Sequence, residues 1–415
     1  MSADGTLGAP AGVERETATA AGTRAPAGTG TSAGTGTSAG TGTSAGTGTW
    51  ADRVSFARSS TVLVAVYLAS RVLVLGAVDL ARRQQDLGWT RALAPWDGPF
   101  YLSIAAHGYP DVVPAADQPD LATAAFFPLF PLLVRGVAEV TGAPLVAAGI
   151  ALNLLLGVAA VVAVHAAGRT VLSAGTAFLA ALVVVAMPGA ATFSLLMADP
   201  LFVALAAWCL VLLARHRWLG AGLVAVAGTA TRPNAVGLVA AAAVASYLAL
   251  RRDRDVTSLI APALAPLGTL GYWAYLWWRT GQPDAWFVVQ ERFWHQQLDF
   301  GVQFAYLVTG FSELVHDHTY LVMWSGFLWL ALVAWAVWRG ARIPAVPTAY
   351  TAVLLGQMLA YSGLGPRPRF LLAAFPLVWL VVQRLGRRLV LLLCGVLLTA
   401  QVLLAWAYTS QYVIP

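Results

Sequence analysis

The sequence contains no lysine; all 25 of its basic residues are arginine. It has only two cysteines, Cys209 and Cys394, each inside an apolar run. That excludes a disulfide framework and a thiolate metal cluster, and both read as small buried apolar residues. Charge of either sign is scarce: 11% of the 415 residues are charged, against about 25% in soluble domains. With 59% hydrophobic residues and a mean hydropathy of +0.71, a water-soluble globule is excluded. A nucleic-acid binder is excluded too, despite an isoelectric point near 9.6. No glycine-rich phosphate loop with its lysine is present, which removes an ATP-driven pump. The formal charge of +6 instead reads as membrane orientation.

What is there divides in two. Ala27 to Thr49 repeats Gly-Thr-Gly-Thr-Ser-Ala with a six-residue period. Such a stretch has almost nothing to bury and is too polar for a signal peptide. Residues 1–52 are therefore expected to form a disordered cytoplasmic tail, with 53–415 as the polytopic membrane domain. A repeat-mediated binding role is the alternative for the tail.

The remainder breaks into apolar runs at Gly, Pro and Arg clusters. At ~20 apolar residues per span, the chain holds roughly ten. The runs are about 59–80, 144–168, 171–188, 199–214, 218–231, 234–250, 257–278, 319–338, 344–362, 370–384 and 388–408. The expected fold is thus an all-α integral membrane bundle of about 11 transmembrane helices. Thr231-Arg232-Pro233-Asn234 turns one long run into a hairpin of two short helices.

Arginine placement sets orientation. Arg53/Arg58, Arg169, Arg215/Arg217, Arg251/Arg252/Arg254, Arg339/Arg342 and Arg384/Arg387/Arg388 all fall on one side if 126–140 does not cross. That segment has two prolines, Arg135 and Glu139, and suits a re-entrant or juxtamembrane helix. The N-terminus is then cytoplasmic, and large loops at about 81–143 and 279–318 are external. Several arginines break the rule on the external side, among them Arg82, Arg83, Arg232, Arg279, Arg292, Arg367 and Arg369. Cations there need an anionic partner or a solvated cavity, and a lipid-linked phosphate suits a guanidinium fork.

Candidate chemistry centres on Trp96-Asp97-Gly98-Pro99-Phe100-Tyr101, followed by His107-Gly108-Tyr109. A carboxylate after the first span can accept a proton from a hydroxyl nucleophile. Trp96, Tyr101, His107 and Tyr109 are candidate substrate contacts, by stacking on a sugar or by acid–base help from the histidine. The alternative is a loop aspartate capping a helix beside an interfacial aromatic belt. Asp199, before Pro200, is the second candidate carboxylate; its alternative is a helix N-cap. Arg232 is either a ligand group or a snorkelling or C-cap residue. Arg367 and Arg369, in a proline-stiffened turn, are harder to explain without an anion. Arg71, in mid-span, is expected to face the bundle and pair with Asp79. His316-Asp317-His318 lacks the spacing of helical metal ligands, and no metal is expected.

Five segments taken together, WDGPFYLSIAAHGYP (96–110), FFPLFP (126–131), MADPLF (197–202), TATRPN (229–234) and GPRPRF (365–370), resemble bacterial members of the family related to the second mannosyltransferase of glycosylphosphatidylinositol assembly. The resemblance covers roughly residues 59–410. It implies a C-type glycosyltransferase membrane fold and a polyprenyl-phosphate sugar donor, usually mannose. It also implies an extracytoplasmic site and direct inversion without a cofactor. Asp97 matches the general base, Asp199 a second acidic position, and Arg232, Arg367 and Arg369 the donor phosphate-binding positions. The departure is Gly98-Pro99-Phe100, where bulkier residues are expected. The acceptor, whether glycan, glycolipid or protein, does not carry over. The rivals are a transporter or flippase of a lipid-linked sugar and a non-catalytic envelope scaffold.

Overall fold

The computed structural model describes residues 49–302, 305, 309, 318–362 and 365–410. Most of the expected tail, residues 1–48, and His316-Asp317 lie outside the described residues, as does the side chain of His318. Within them the chain is all-helical, with a single isolated bridge between Leu298 and Tyr361.

The first helix, α1 (Trp50–Gln84), starts nine residues earlier than its apolar run. Thr49 caps it: its Oγ1 accepts from Asp52 N, while Asp52 accepts from Thr49 N. This reciprocal box fixes the start, so Trp50–Asp52, assigned above to the tail, are helical. The first loop then carries α2 (Trp89–Leu93), α3 (Gly98–His107) and α4 (Leu129–Thr141). Helix α4 has 13 residues, too few for a ~20-residue span.

Next come α5 (Leu145–Arg169), α6 (Ala174–Ala186), α7 (Asp199–Ala214), α8 (Trp218–Thr229) and α9 (Val236–Asp253). The stretch Val256–Thr280 is long and apolar enough to cross a membrane but broken near Pro266 into α10 (Ile260–Leu264) and α11 (Leu267–Thr280), followed by α12 (Ala285–Trp294). The last elements are α13 (His318–Trp338), α14 (Ala345–Ala360), α15 (Pro368–Ala373), α16 (Pro376–Val382) and α17 (Arg387–Thr409). Every apolar run of the sequence thus corresponds to helix. The run 370–384 is two short helices rather than one, because Pro376 has no N–H with which to continue the ladder.

Among the described residues, five stretches are long and apolar enough to cross a membrane, and a sixth if α6 is joined to the bent 3₁₀ turn Pro188–Ser194. Four more apolar helices are shorter. α5 packs on α7, α9 on α14, and α1 on α17. Alanine and valine dominate the buried core, and such small side chains let helices approach closely where no hydrophobic drive separates helix from lipid.

One feature of the packing positions the site. After α6 the chain breaks at Met187-Pro188, bends by 69°, and runs to Ala198 wholly buried apart from a half-buried Pro188. Carbonyls freed by such a break must find donors in an apolar interior. Three polar side chains supply them. Gln401 of α17 donates Nε2 to Val185 O and Met187 O at 3.0 and 2.7 Å. Asn153 of α5 donates Nδ2 to Leu195 O and Met197 O at 2.6 and 2.9 Å. Arg71 of α1 donates to Ala190 O at 2.5 Å and to Gln401 Oε1 at 2.8 Å. Arg71 therefore faces the bundle interior as expected, but it does not pair with Asp79. That carboxylate is taken by Arg82 and Arg83, one turn along the same helix, at 2.9 and 2.8 Å.

Candidate functional site

Asp97 follows Trp96, which sits at φ 55°. A left-handed conformation at a tryptophan stores about 1–3 kcal/mol of strain and needs anchoring. The indole provides it, donating Nε1 to Tyr408 O at 3.2 Å. Gly98 lets α3 begin against the buried 195–198 segment; a Cβ there would lie 2.7 Å from Ala94 Cβ and 3.5 Å from Leu196 O. This close approach accounts for the small residue at the position where the family resemblance led to a bulkier one. Leu196 N also donates to Leu93 O at 2.8 Å, so the first loop is tied to the segment that leads into Asp199.

Neither aspartate caps its helix. Asp97 Oδ2 instead accepts from Arg369 Nη2 at 2.8 Å, and Asp199 Oδ1 accepts from Arg232 Nη1 at 2.5 Å. Both pairs are largely shielded from solvent, with side-chain exposures of 18% and 11% in the first and 3% and 8% in the second. The Phe370 ring lies 5.1 Å from the Arg369 guanidinium and 5.9 Å from that of Arg232. Four charges from four distant segments therefore meet around one aromatic ring. They also surround Tyr101. Burial and the Asp97 carboxylate hold its hydroxyl in the protonated form, with Arg232 and Arg369 opposing.

Arg367 stands in the same turn. Burial, reinforced by the neighbouring Arg369 cation, lowers its guanidinium to about 10, which leaves it cationic at neutral pH. Arg369 moves the other way. Burial alone would lower it, but the Asp97 and Asp199 carboxylates outweigh that and hold it charged. The guanidinium groups of Arg232, Arg367 and Arg369 thus cluster with the Asp97 and Asp199 carboxylates, and Glu291 of α12 adds a third carboxylate to the cavity wall.

The turn carrying these arginines is clamped. A Cβ on Gly189 would come within 2.2 Å of Pro368 O and 3.0 Å of Arg369 Cα. Gly326 of α13 likewise lies against the carbonyl of Pro366, closer than any Cβ could. Proline stiffness and these two glycine contacts fix where Arg367 and Arg369 can reach.

Asp97, Arg232, Arg367 and Arg369 line one cavity of about 860 Å³, within the range of small-molecule sites. Trp96 and Tyr101 line it as well. Its other walls come from α11, α12, the residues after α12 and the end of α14, and they are rich in aromatics and amides: Trp273, Trp286, Trp294, Gln290, Gln297 and Gln357. Phe100 stacks on Phe126 at 4.8 Å, and Trp294 meets both edge-on. The carboxamide oxygens of Asn234 and Gln357 and the indole nitrogen of Trp273 are buried beside this cavity with no hydrogen-bond partner among the described residues.

Of the nine candidate residues, Asp97, Arg232, Arg367, Arg369, Trp96 and Tyr101 line the cavity, and Asp199 sits behind its arginine. Two do not reach it. Tyr109 is buried in the loop core, where its hydroxyl donates to Phe126 O at 2.7 Å and its ring packs on Tyr272. It braces the Phe126 wall. His107 ends α3 with its side chain exposed, away from the cavity lining. Among the other arginines expected outside, Arg82 and Arg83 share the single Asp79 carboxylate, and Arg292 donates to Pro114 O at 2.5 Å. Asn153 and Gln401 were missed although each is a lone amide in an apolar run. The α12 wall carries no motif that marks it.

The sequence matches no protein-family model and no curated protein. Solved structures similar to it include the following two. One is ArnT from Cupriavidus metallidurans bound to undecaprenyl phosphate, 16% identical over 79% of this chain and 60% of that one, with a TM-score of 0.48. The other is an oligosaccharyltransferase from Archaeoglobus fulgidus tethered to an acceptor peptide, 11% identical over 85% of this chain and 56% of that one, with a TM-score of 0.44. This chain therefore spans less than two thirds of either structure's length.

Proposed function

We propose that the chain is an integral membrane glycosyltransferase that moves a sugar from a polyprenyl-phosphate donor to an acceptor hydroxyl. The observation that carries this reading is the convergence of Asp97 with Arg232, Arg367 and Arg369 on one cavity. In this reading the donor phosphate enters among the three clustered arginines, whose guanidinium forks match phosphate oxygens. Entry draws Arg369 toward the phosphate and loosens its hold on Asp97. The acceptor oxygen then attacks the anomeric carbon from the face opposite the phosphate. The C1–O bond breaks and its electron pair leaves with the phosphate, stabilised by the guanidinium groups. Asp97 takes the acceptor proton. One displacement inverts the anomeric centre, and no cofactor is consumed because the phosphodiester already activates the sugar. The apolar and aromatic walls suit a donor whose chain stays in lipid and whose sugar ring stacks. Mannose is the expected sugar from the resemblance of the sequence motifs, and the cavity is proposed to open on the extracytoplasmic side.

The test is transfer in proteoliposomes supplied with polyprenyl-phosphate-mannose, other polyprenyl-phosphate hexoses and mixed acceptors. Wild type should form product, and Asp97→Asn at equal protein level should lose about 10²–10⁴-fold in rate. Full activity in Asp97→Asn removes the base assignment. Donor movement between leaflets without product formation supports a flippase instead.

A further inference from the structure

A second charged site lies away from the Asp97 cavity. From Thr319 to its end the sequence has seven arginines and no aspartate or glutamate. Arg367 and Arg369 belong to the cavity already described. The other five are Arg339 and Arg342, after α13, Arg384, between α16 and α17, and Arg387 and Arg388, at the start of α17. None forms an ion pair among the described residues.

The fold brings these two turns together although they are more than forty positions apart. Gln383 donates Nε2 to Arg342 O at 3.1 Å. Gly340, at φ 84°, closes α13, and a Cβ on it would sit 3.3 Å from Arg384 Nη2. The Arg384 guanidinium therefore lies against the backbone of the turn that carries Arg339. Between them is a cleft of about 630 Å³ lined by Trp335, Trp338, Arg339, Gly340, Gln383 and Arg384. Both tryptophans are exposed, Trp338 extensively so.

Two guanidinium groups on one cleft repel unless an anion lies between them, and no acidic side chain of this region supplies one. Solvated arginines alone would satisfy orientation. They would not require a cleft with paired indoles and a glutamine on its wall. Indoles prefer the depth of lipid head groups, and arginine forks match phosphate oxygens. We propose that this cleft binds the phosphate of an anionic phospholipid, with Arg339 and Arg384 on the phosphate and Trp335 and Trp338 against the glycerol and upper acyl region. The site is independent of the glycosyltransferase reading.

The experiment is native mass spectrometry of the full chain released from nanodiscs of phosphatidylcholine with or without phosphatidylglycerol, with inorganic phosphate as a separate arm. The protein is wild type or the Arg339→Gln/Arg384→Gln double variant. Both substitutions are at exposed positions and leave the Asp97 cavity untouched, and transfer activity or donor binding is measured in parallel to report that cavity's integrity. Wild type should retain one tightly held phosphatidylglycerol that the double variant loses, a drop of at least tenfold in the occupancy of that lipid. Trp338→Phe should keep the lipid, and Trp338→Ala should weaken it. Equal lipid retention in the double variant overturns the proposal. So does equal retention of phosphatidylcholine, or saturation of the site by inorganic phosphate at the same concentration.

Discussion

Replacing Gly189 with alanine adds one methyl group remote from any reacting atom, yet it should disable the Asp97 cavity. The new Cβ would fall 2.2 Å from Pro368 O and 2.6 Å from Pro368 C. Non-bonded heavy atoms settle near ~3.5 Å, so the 366–369 turn has to retreat by roughly 1 Å. Backbone cannot swing aside like a side-chain tip, and the same turn is also held where Gly326 meets Pro366. The shift therefore passes to Arg369, whose 2.8 Å contact with Asp97 would lengthen to about 4 Å, the outer limit of an ion pair. A misplacement of about 1 Å at a reacting constellation costs on the order of 10²-fold in rate. The assay is initial transfer rate against donor concentration in proteoliposomes, with thermal stability in detergent measured alongside. Gly189→Ala should raise donor KM and lower kcat together at near-normal expression. Gly136→Ala, at a half-buried glycine of α4 with open space around its would-be Cβ, should change neither. Wild-type kinetics in both Gly189→Ala and Gly326→Ala would refute the clamp.

Other outcomes follow from the same geometry. Asp199→Asn strands the buried Arg232 cation, and loss of one partner of a buried pair costs about 3–5 kcal/mol; Asp199→Asn/Arg232→Gln should recover part of the resulting fall in melting temperature. Asn153→Leu removes the donor to Leu195 O and Met197 O. It should destabilise by about 1–3 kcal/mol, the desolvation cost of carbonyls left unbonded, as read from denaturation in mixed micelles. Asp255, between α9 and α10, is held ionised by hydrogen bonds from Thr257 and then Trp218. Its pKa is lowered on folding, so its contribution is present above the unfolded carboxylate range near ~4 and lost as pH falls below it. The melting temperature of Asp255→Asn should match wild type at strongly acidic pH and fall below it at neutral pH.

The helices were largely legible in the sequence because apolar length is a strong signal, and every run identified corresponds to helix. Their ends were not. The Thr49 capping box extends α1 back to Trp50, although hydropathy is low there. The Asp97 and Asp199 carboxylates stood out because polar groups are rare in such a chain. Their partners did not, since periodicity gives no information about which distant turn faces which. Arg71 shows the limit. A mid-span cation suggested a carboxylate, but the carbonyls released by the Met187-Pro188 break and the amide of Gln401 serve instead. His107 and Tyr109 lie in the same motif as Asp97, but His107 ends α3 facing outward and Tyr109, beyond the Gly108 cap, packs into the loop core.

The two ion pairs also dictate an order of assembly. Asp97 and Asp199 leave the ribosome before their guanidinium partners, and Arg369 is separated from Asp97 by most of the chain. During synthesis, which runs from the N-terminus, the Asp97 carboxylate must wait in the translocon or at the lipid boundary, unneutralised, until α13 and the turn behind it arrive. A nascent protein truncated before Arg369 lacks the partner of Asp97, so that ion pair can close only after the turn at 365–369 has been made.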